Sequence, residues 1–283
     1  MSATVQKSPR RKRAPLELVL GAALMIVIIG SVLLSSWLFA DPGQISLTAR
    51  VVPPFQNPEH ILGTDALGRD ILARVANGGW VSLQVGFISV LGSVVLGVFM
   101  GLIAGYYRGI WDVIVMRFAD VQLALPFILL AITFVAILGG SLTNTIILLI
   151  VSQWVQYARL VRAAALSLRE REYVLSARAI GVSDRNIILR HILPNLLGPV
   201  VVLMTLNVAN NILLESSLTF LGLGVDPTIP SWGGMLAEGR TYLQTAWWIS
   251  VVPGMAILLT VFGLNLLGDW LRDILDPTGR TNR

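Results

Sequence analysis

Long apolar runs alternate along this chain with short charged stretches that close them off. Leu18–Ala40 lies between Glu17 and Asp41. Val75–Tyr107 carries no charge, and its membrane part is expected to start near Trp80. Val121–Ala158 is uncharged for 38 residues. Ile192–Leu214 opens a further run that continues past Glu215 to about Leu221, and Thr241–Gly268 holds the last. A helix crossing the ~30 Å hydrocarbon core needs about 20 apolar residues. The third run is therefore too long for one crossing and suits two, with a turn at Gly139-Gly140-Ser141. The pattern predicts six membrane-spanning helices.

Composition sharpens that picture. The chain has 283 residues, of which 55% are hydrophobic and 13% charged, with a mean hydropathy of +0.75. Soluble domains are nearer 25% charged, so lipid must serve as part of the solvent for an all-α membrane protein. There is no cysteine, which excludes disulfides, thiolate metal sites and a cysteine nucleophile. The two histidines, His60 and His191, are too far apart in sequence to suggest a metal cluster, and no catalytic constellation is visible.

Charge placement sets the expected orientation. Seventeen of the 21 basic residues precede the first span, lie between the second and third, follow the fourth, or follow the sixth. Only Arg50, Arg69, Arg74 and Arg240 fall on the other side. The positive-inside bias puts the larger set, and both termini, in the cytoplasm. The same distribution explains the net charge of +5 without nucleic acid, and the basic stretch Arg10–Arg13 reads as an anchor that holds the N-terminus inside. A cleaved signal peptide is the alternative for the first run. Its 23 residues exceed the usual ~7–15, and no A-x-A site closes it, so an uncleaved span is expected. The resulting division is a basic cytoplasmic N-terminus (1–17), a first span (18–40), and an extracytoplasmic loop with an interfacial helix (41–79). A five-helix core (80–268) contains a cytoplasmic loop (159–194), and a cytoplasmic tail (269–283) follows.

That cytoplasmic loop is the most informative segment. Tyr157–Asn195 reads YARLVRAAALSLREREYVLSARAIGVSDRNIILRHILPN and is far longer than a turn between spans requires. Glu172 to Ile180 is rich in helix formers and ends at Gly181, a residue suited to a left-handed C-cap. Ser183 is placed as an N-cap, with Asp184 in the first turn where the helix dipole favours an anion. Ile187, Ile188, His191 and Ile192 follow at helical spacing, and Pro194 is expected to stop the run before the next span. The prediction is a helix–glycine–helix knob. Its apolar residues Val174, Leu175, Ala177, Ala179 and Ile180 exceed what a solvated topology signal needs, and they call for a partner groove.

The spacing A-x-x-x-G, nine residues, then x-x-L-P, carried by Ala177, Gly181, Leu193 and Pro194, resembles the signature loop of binding-protein-dependent ABC importer permeases. LGTDALGRDILAR (62–74), AGYYRGIWDVIVMRFADVQLALP (104–126), LTFLGLGVDPTIPSWGGMLAEGR (218–240) and NLLGDWLRDILDP (265–277) are similar to the dipeptide, oligopeptide and nickel branch. The resemblance covers about residues 60–277. It implies the type I ABC importer permease fold, and a coupling loop (Glu172, Tyr173, Ala177, Gly181, Ser183, Asp184, Arg185, Leu193, Pro194) that docks on an ATPase subunit. Its further implications are a paralogous permease, two ATP-binding cassette subunits holding ATP and Mg2+, an extracytoplasmic substrate-binding protein, and residence in a bacterial cytoplasmic (inner) membrane. No cofactor is expected on this chain itself. The family pattern begins Glu-Ala-Ala, where Leu175, Ser176 and Ala177 stand here, so a salt bridge from that position is lost, although Glu172 lies one turn earlier. His191 stands where isoleucine is frequent.

Other features take their meaning from context. Gly63–Asp70 imitates a phosphate-binding loop, but Arg69 and Asp70 replace its lysine and Ser/Thr, so ATP binding is not expected there. An outer, interfacial helix with Asp65–Arg69 and Asp70–Arg74 pairs is expected instead, and the resemblance implies a contact there with the substrate-binding protein. Gly97, Gly101 and Gly105 permit close helix packing, either inside the subunit or against a second one. Asn207, Asn211 and Glu215 share one face of the fifth span, with Asn210 beside them. They line a translocation path or bond to neighbouring helices, and Glu215 is a candidate to attract a cationic group. Pro126 and Pro253 mark kinks accommodated by packing, and Trp37, Trp80, Trp111, Trp247 and Trp248 read as interfacial anchors. The alternative functional class is an ion-coupled secondary transporter or channel. Ion coupling usually places ionisable residues deep in the bundle, where only Glu215 qualifies. A membrane scaffold without transport would leave both the polar stripe and the knob unexplained.

Overall fold

The computed structural model describes residues 16–39 and 41–275; most of the basic N-terminus and part of the C-terminal tail lie outside the described residues. Among the described residues all regular elements are helices. Five are long and apolar enough to cross a membrane: Leu16–Leu33, Ile71–Tyr107, Leu142–Leu168, Asp184–Phe220 and Trp248–Leu275. They contain α1 (Leu16–Leu33), α3 (Ile71–Leu102), α6 (Leu142–Leu168), α9 (Leu193–Phe220) and α11 (Trp248–Leu275), while α2 is a single turn at Ser35–Leu38. The remaining predicted crossing is a broken one. Gly109–Ala124 (α4) and Phe127–Leu138 (α5) meet at an angle of 93°.

Pro126 causes that break. It removes a backbone donor and biases the residue before it away from the helical region, and Leu125 is extended at φ −90°, ψ 124°. The expected packed kink is therefore a full interruption. With 12 residues, α5 is only about 18 Å long, short of a crossing by itself. The turn at 139–141 lies where the run length predicts it, and Ser141 caps α6 by accepting from the Asn144 amide at 3.1 Å. Two further boundaries emerge: the first span breaks at Leu34, and the last helix begins at Trp248, inside the Thr241–Gly268 run.

At the centre lies α3, packed against α6, α9, α1 and α10 (Trp232–Gly239). Its glycines settle one question left open by the sequence. A Cβ at Gly97 would lie 2.5 Å from the Trp154 carbonyl oxygen, one at Gly101 2.6 Å from the Ala158 oxygen, and one at Gly105 2.8 Å from the Arg162 oxygen. All three meet α6 of the same subunit. On the far side, Gly21 of α1 abuts Leu266 and Leu267, while Gly263 abuts Leu24 and Met25. The two helices are thus antiparallel, and the described ends of the chain share one face of the bundle. Large apolar side chains such as Ile26, Val95, Phe118 and Ile137 remain exposed along the spans, as a lipid-solvated surface requires.

Overpacking a tight interface costs about 1–3 kcal/mol. Gly101→Val is expected to lower the detergent melting temperature of the purified protein. Gly198→Ala, at a position with open space around it, is expected to leave it unchanged or raised.

Candidate functional site

The 159–194 loop folds as the helix–glycine–helix knob expected of it. Helix α7 covers Glu172–Ala179, and Gly181 closes it at φ +83°. The Gly181 amide donates to the Arg178 carbonyl and the Val182 amide to the Ala177 carbonyl, each at 3.0 Å, which is the paired bonding of a Schellman cap. Helix α8 (Asp184–Ile187) follows, with Ser183 at its N-cap, although the Ser183 side chain makes no capping bond. Pro194 does not stop the run. A π turn at Ile188–Ile192 leads straight into α9, with the Leu193 amide bonded to the Ile188 carbonyl. The wider turn inserts one extra residue just ahead of the proline, so the chain absorbs the missing donor and stays helical.

The knob's apolar residues divide between two faces. Val174 and Ala177 are buried in the subunit's own core with Tyr106, Tyr157, Val161 and Ile187. Tyr173, Leu175, Ala179 and Ile180 face outward, Ile180 being 81% exposed. Glu172, Gly181, Ser183, Asp184 and Arg185 are exposed beside them, Leu193 is half-buried, and Pro194 is exposed. Tyr173 also stacks on His191, with ring centroids 6.4 Å apart.

Two ion pairs brace α6 just before the knob. Arg162 forms a bidentate pair with Asp112 of α4, one contact at 2.7 Å, and Arg159 meets Asp120 at 2.7 Å. Tyr106, in the π turn that ends α3, donates its hydroxyl to Asp184 at 2.5 Å. Neither Asp112 nor Tyr106 stands out in the sequence. The one signal for Asp112 is a charge in a largely apolar helix that also carries Arg117 and Asp120, since such charges demand partners.

Within the bundle the polar stripe of α9 turns inward. Asn207 donates to the Tyr157 hydroxyl at 3.0 Å. Asn211 donates to Ser89 at 2.7 Å and accepts from Gln153 at 2.6 Å. Glu215 is fully buried and accepts from Ser82 at 3.0 Å, Thr219 at 2.9 Å and Ser216 at 3.3 Å. All three residues bond to side chains of other helices, and Glu215 is fully buried. Asn210 alone is exposed. The partners Ser82, Ser89 and Gln153 are invisible to periodicity because they stand on other helices.

At the opposite end, 62–70 folds as turns rather than the expected outer helix. Gly68, at φ +77°, passes so close to Ser46 that a Cβ there would lie 1.8 Å from its carbonyl oxygen. Asp65 and Arg69 do pair, at 2.6 Å. Asp70 does not pair with Arg74. It caps α3 by accepting from the Ala73 amide at 2.7 Å and meets His60 at 2.9 Å. Arg74 instead reaches Asp65 at 2.6 Å and Glu238 of α10 at 2.7 Å, and Arg69 reaches Glu238 at 2.7 Å. Two carboxylates and two guanidiniums thus close a neutral clamp between the loop, α3 and α10. Among the described residues no group of three or more histidine, aspartate or glutamate side chains is placed to hold a metal ion.

Comparison with known proteins gives concordant results. Residues 97–280 match the family model described as binding-protein-dependent transport system inner membrane component. The dipeptide transport system permease protein DppC of Alkalihalophilus pseudofirmus is 43% identical over 268 residues, which is 95% of this chain and 86% of that protein. The glutathione transport system permease protein GsiD of Pectobacterium atrosepticum is 45% identical over 218 residues, covering 77% of this chain and 72% of that one. Among solved structures, the inward-facing MetNI methionine ABC transporter matches with a TM-score of 0.56 at 20% identity. That match covers 71% of this chain and 96% of that chain.

Breaking a buried ion pair by removing one partner costs about 3–5 kcal/mol, whereas an exposed pair is worth about 0–1 kcal/mol. Arg74→Ala removes one of the two guanidiniums on the buried Asp65 and leaves it Arg69 alone, and it is expected to lower the melting temperature clearly in detergent. Asp120→Ala, whose pair is about half exposed, is expected to change the melt little.

Proposed function

The chain belongs to the binding-protein-dependent transport system inner membrane components, and on that premise we propose that it works with a paralogous permease in an ATP-driven importer of di- or oligopeptides. As an importer permease subunit it moves solute across the membrane, and in this reading ATP and Mg2+ are handled by two separate cassette subunits. Peptide is the proposed cargo because relatives at 40–45% identity are named for dipeptide, di/tripeptide and glutathione transport. An external binding protein would deliver it, and the assembly would lie in a bacterial inner membrane with both termini and the knob in the cytoplasm.

The observation that carries the reading is the divided knob. Val174, Ala177 and Ile187 fasten it to the bundle from within, while Leu175, Ala179 and Ile180 present a short apolar ridge outward beside Glu172 and Arg185. An apolar ridge on a rigid cytoplasmic helix fits a partner groove. Because the knob continues through the π turn into α9 without a break, a push on it moves a transmembrane helix. ATP-driven closure of the cassettes would rock α9 and its neighbours and expose the pathway alternately to each side. The buried stripe of Asn207, Asn211 and Glu215 would then keep α9 in register with α3 and α6, leaving the exposed face around Asn210, Leu213 and Ser217 to line the path. The rival class of ion-coupled transporter gains nothing from the buried Glu215, which is enclosed by hydroxyls of its own subunit.

The test is reconstitution in liposomes with the neighbouring transport subunits, with radiolabelled dialanine and glutathione as probes. ATP-dependent uptake is expected, and uptake without any ATPase subunit would overturn the assignment. Ile180→Glu is expected to weaken retention of the ATPase subunits about tenfold or more, a cost of about 1.4 kcal/mol, while the melt of the isolated permease stays unchanged. Ala177→Arg is expected to damage the knob itself, since Ala177 is buried.

A further inference from the structure

Tyr106 occupies an unusual position. It lies in the π turn Ile103–Tyr107 at the end of α3, the central helix, and is only 3% exposed. Its hydroxyl reaches Asp184, the first residue of α8 in the knob, at 2.5 Å. The guanidinium of Arg178, from α7, sits 5.5 Å from the Tyr106 ring centroid, and that of Arg169 lies 5.9 Å away. Arg169 also donates to the Tyr106 backbone carbonyl, and Tyr107 packs edge-on at 5.2 Å. One side chain thus touches the end of α6, both helices of the knob and the end of α3.

We propose that Tyr106 is the positioning residue that locks the knob to α3, so that displacement of the knob by the ATPase reaches the centre of the bundle as well as α9. The inference rests on the permease reading and adds a second transmission route to it. The continuous helix into α9 moves only one element, whereas α3 carries the glycine seam with α6 and the clamp to α10. A hydroxyl-to-carboxylate bond is directional and charge-assisted. It therefore holds the knob against rotation in a way that the apolar contacts of Val174 and Ala177 do not. Both ends of the lock sit on π turns or beside a glycine cap, where the helix geometry is most readily changed.

The experiment uses the complete transporter in liposomes and reads radiolabelled dialanine taken up per ATP hydrolysed. Tyr106→Phe removes one oxygen and leaves the ring in place. The complex is expected to assemble and hydrolyse ATP with an unchanged KM for dialanine, while uptake per ATP falls on the order of tenfold, as loss of one charge-assisted hydrogen bond allows. Asp184→Asn keeps an acceptor for the hydroxyl and is expected to retain roughly half or more of the coupling. Combining it with Tyr106→Phe should cost no more than Tyr106→Phe alone. Wild-type uptake per ATP in Tyr106→Phe overturns the proposal. Should that variant not assemble, Asp184→Ala takes its place, and full coupling in Asp184→Ala overturns the proposal equally. Failure of the permease reading is distinguishable, because the wild-type complex would then take up dialanine without ATPase subunits.

Discussion

At Gly97, Gly101 and Gly105 the backbone of α3 lies against the backbone and Cβ atoms of α6 with no room for an added carbon. In lipid, apolar surface gains nothing by leaving its solvent, so helix association relies on close van der Waals contact and interhelical hydrogen bonds. The glycine seam supplies the first and makes the second possible. It brings Ser89 and Gln153 within reach of Asn211, and Tyr157 within reach of Asn207. The same seam carries α3 and α6 side by side to the face where the knob docks on them.

Polar chemistry is graded along that axis. Full charges sit at the two ends: the neutral Asp65–Arg69–Arg74–Glu238 clamp on one side, and the Asp112–Arg162 and Asp120–Arg159 pairs on the other. Between them the bundle uses hydroxyls and amides, with Glu215 the one carboxylate, surrounded by three hydroxyl donors. This grading follows from the cost of charge in hydrocarbon. It also gives the molecule two ends braced by ion pairs and joined by packed helices. The clamp has a further role in the architecture. The matched family region begins at residue 97, and Asp65, Arg69 and Arg74 tie the segment before it to Glu238 within it.

Much of the membrane architecture was legible without coordinates. Hydrophobic run length against bilayer thickness located five long apolar helices and the turn at 139–141. Glycine and Ser-Asp punctuation determined the knob, since the caps at Gly181 and Ser183 are local backbone chemistry. What periodicity could not supply was the identity of the partner facing each residue. A polar stripe announces that it needs partners, but Ser82, Ser89, Gln153 and Tyr157 come from other helices, and only packing identifies them. Likewise the apolar content of the knob predicted a covered face, and the structure assigned Val174 and Ala177 to the subunit itself.

The remaining surprises have the same origin. Asp70 and Arg74 stand at helical spacing, yet Glu238, 164 positions away from Arg74, is the better placed partner once α10 folds over α3. Pro194 looks like a stop signal because a local rule sees only its missing donor, and the π turn that absorbs it depends on how α8 is held. Pro126, by contrast, follows an extended Leu125 with no π turn ahead of it, and there the chain breaks. The sequence by itself determined what must leave water, where most of the long apolar helices lie, and that a long charged loop separates two of them. Tertiary structure alone decided which buried group satisfies which, because hydrogen bonds and ion pairs in a membrane bundle form between helices far apart in the chain.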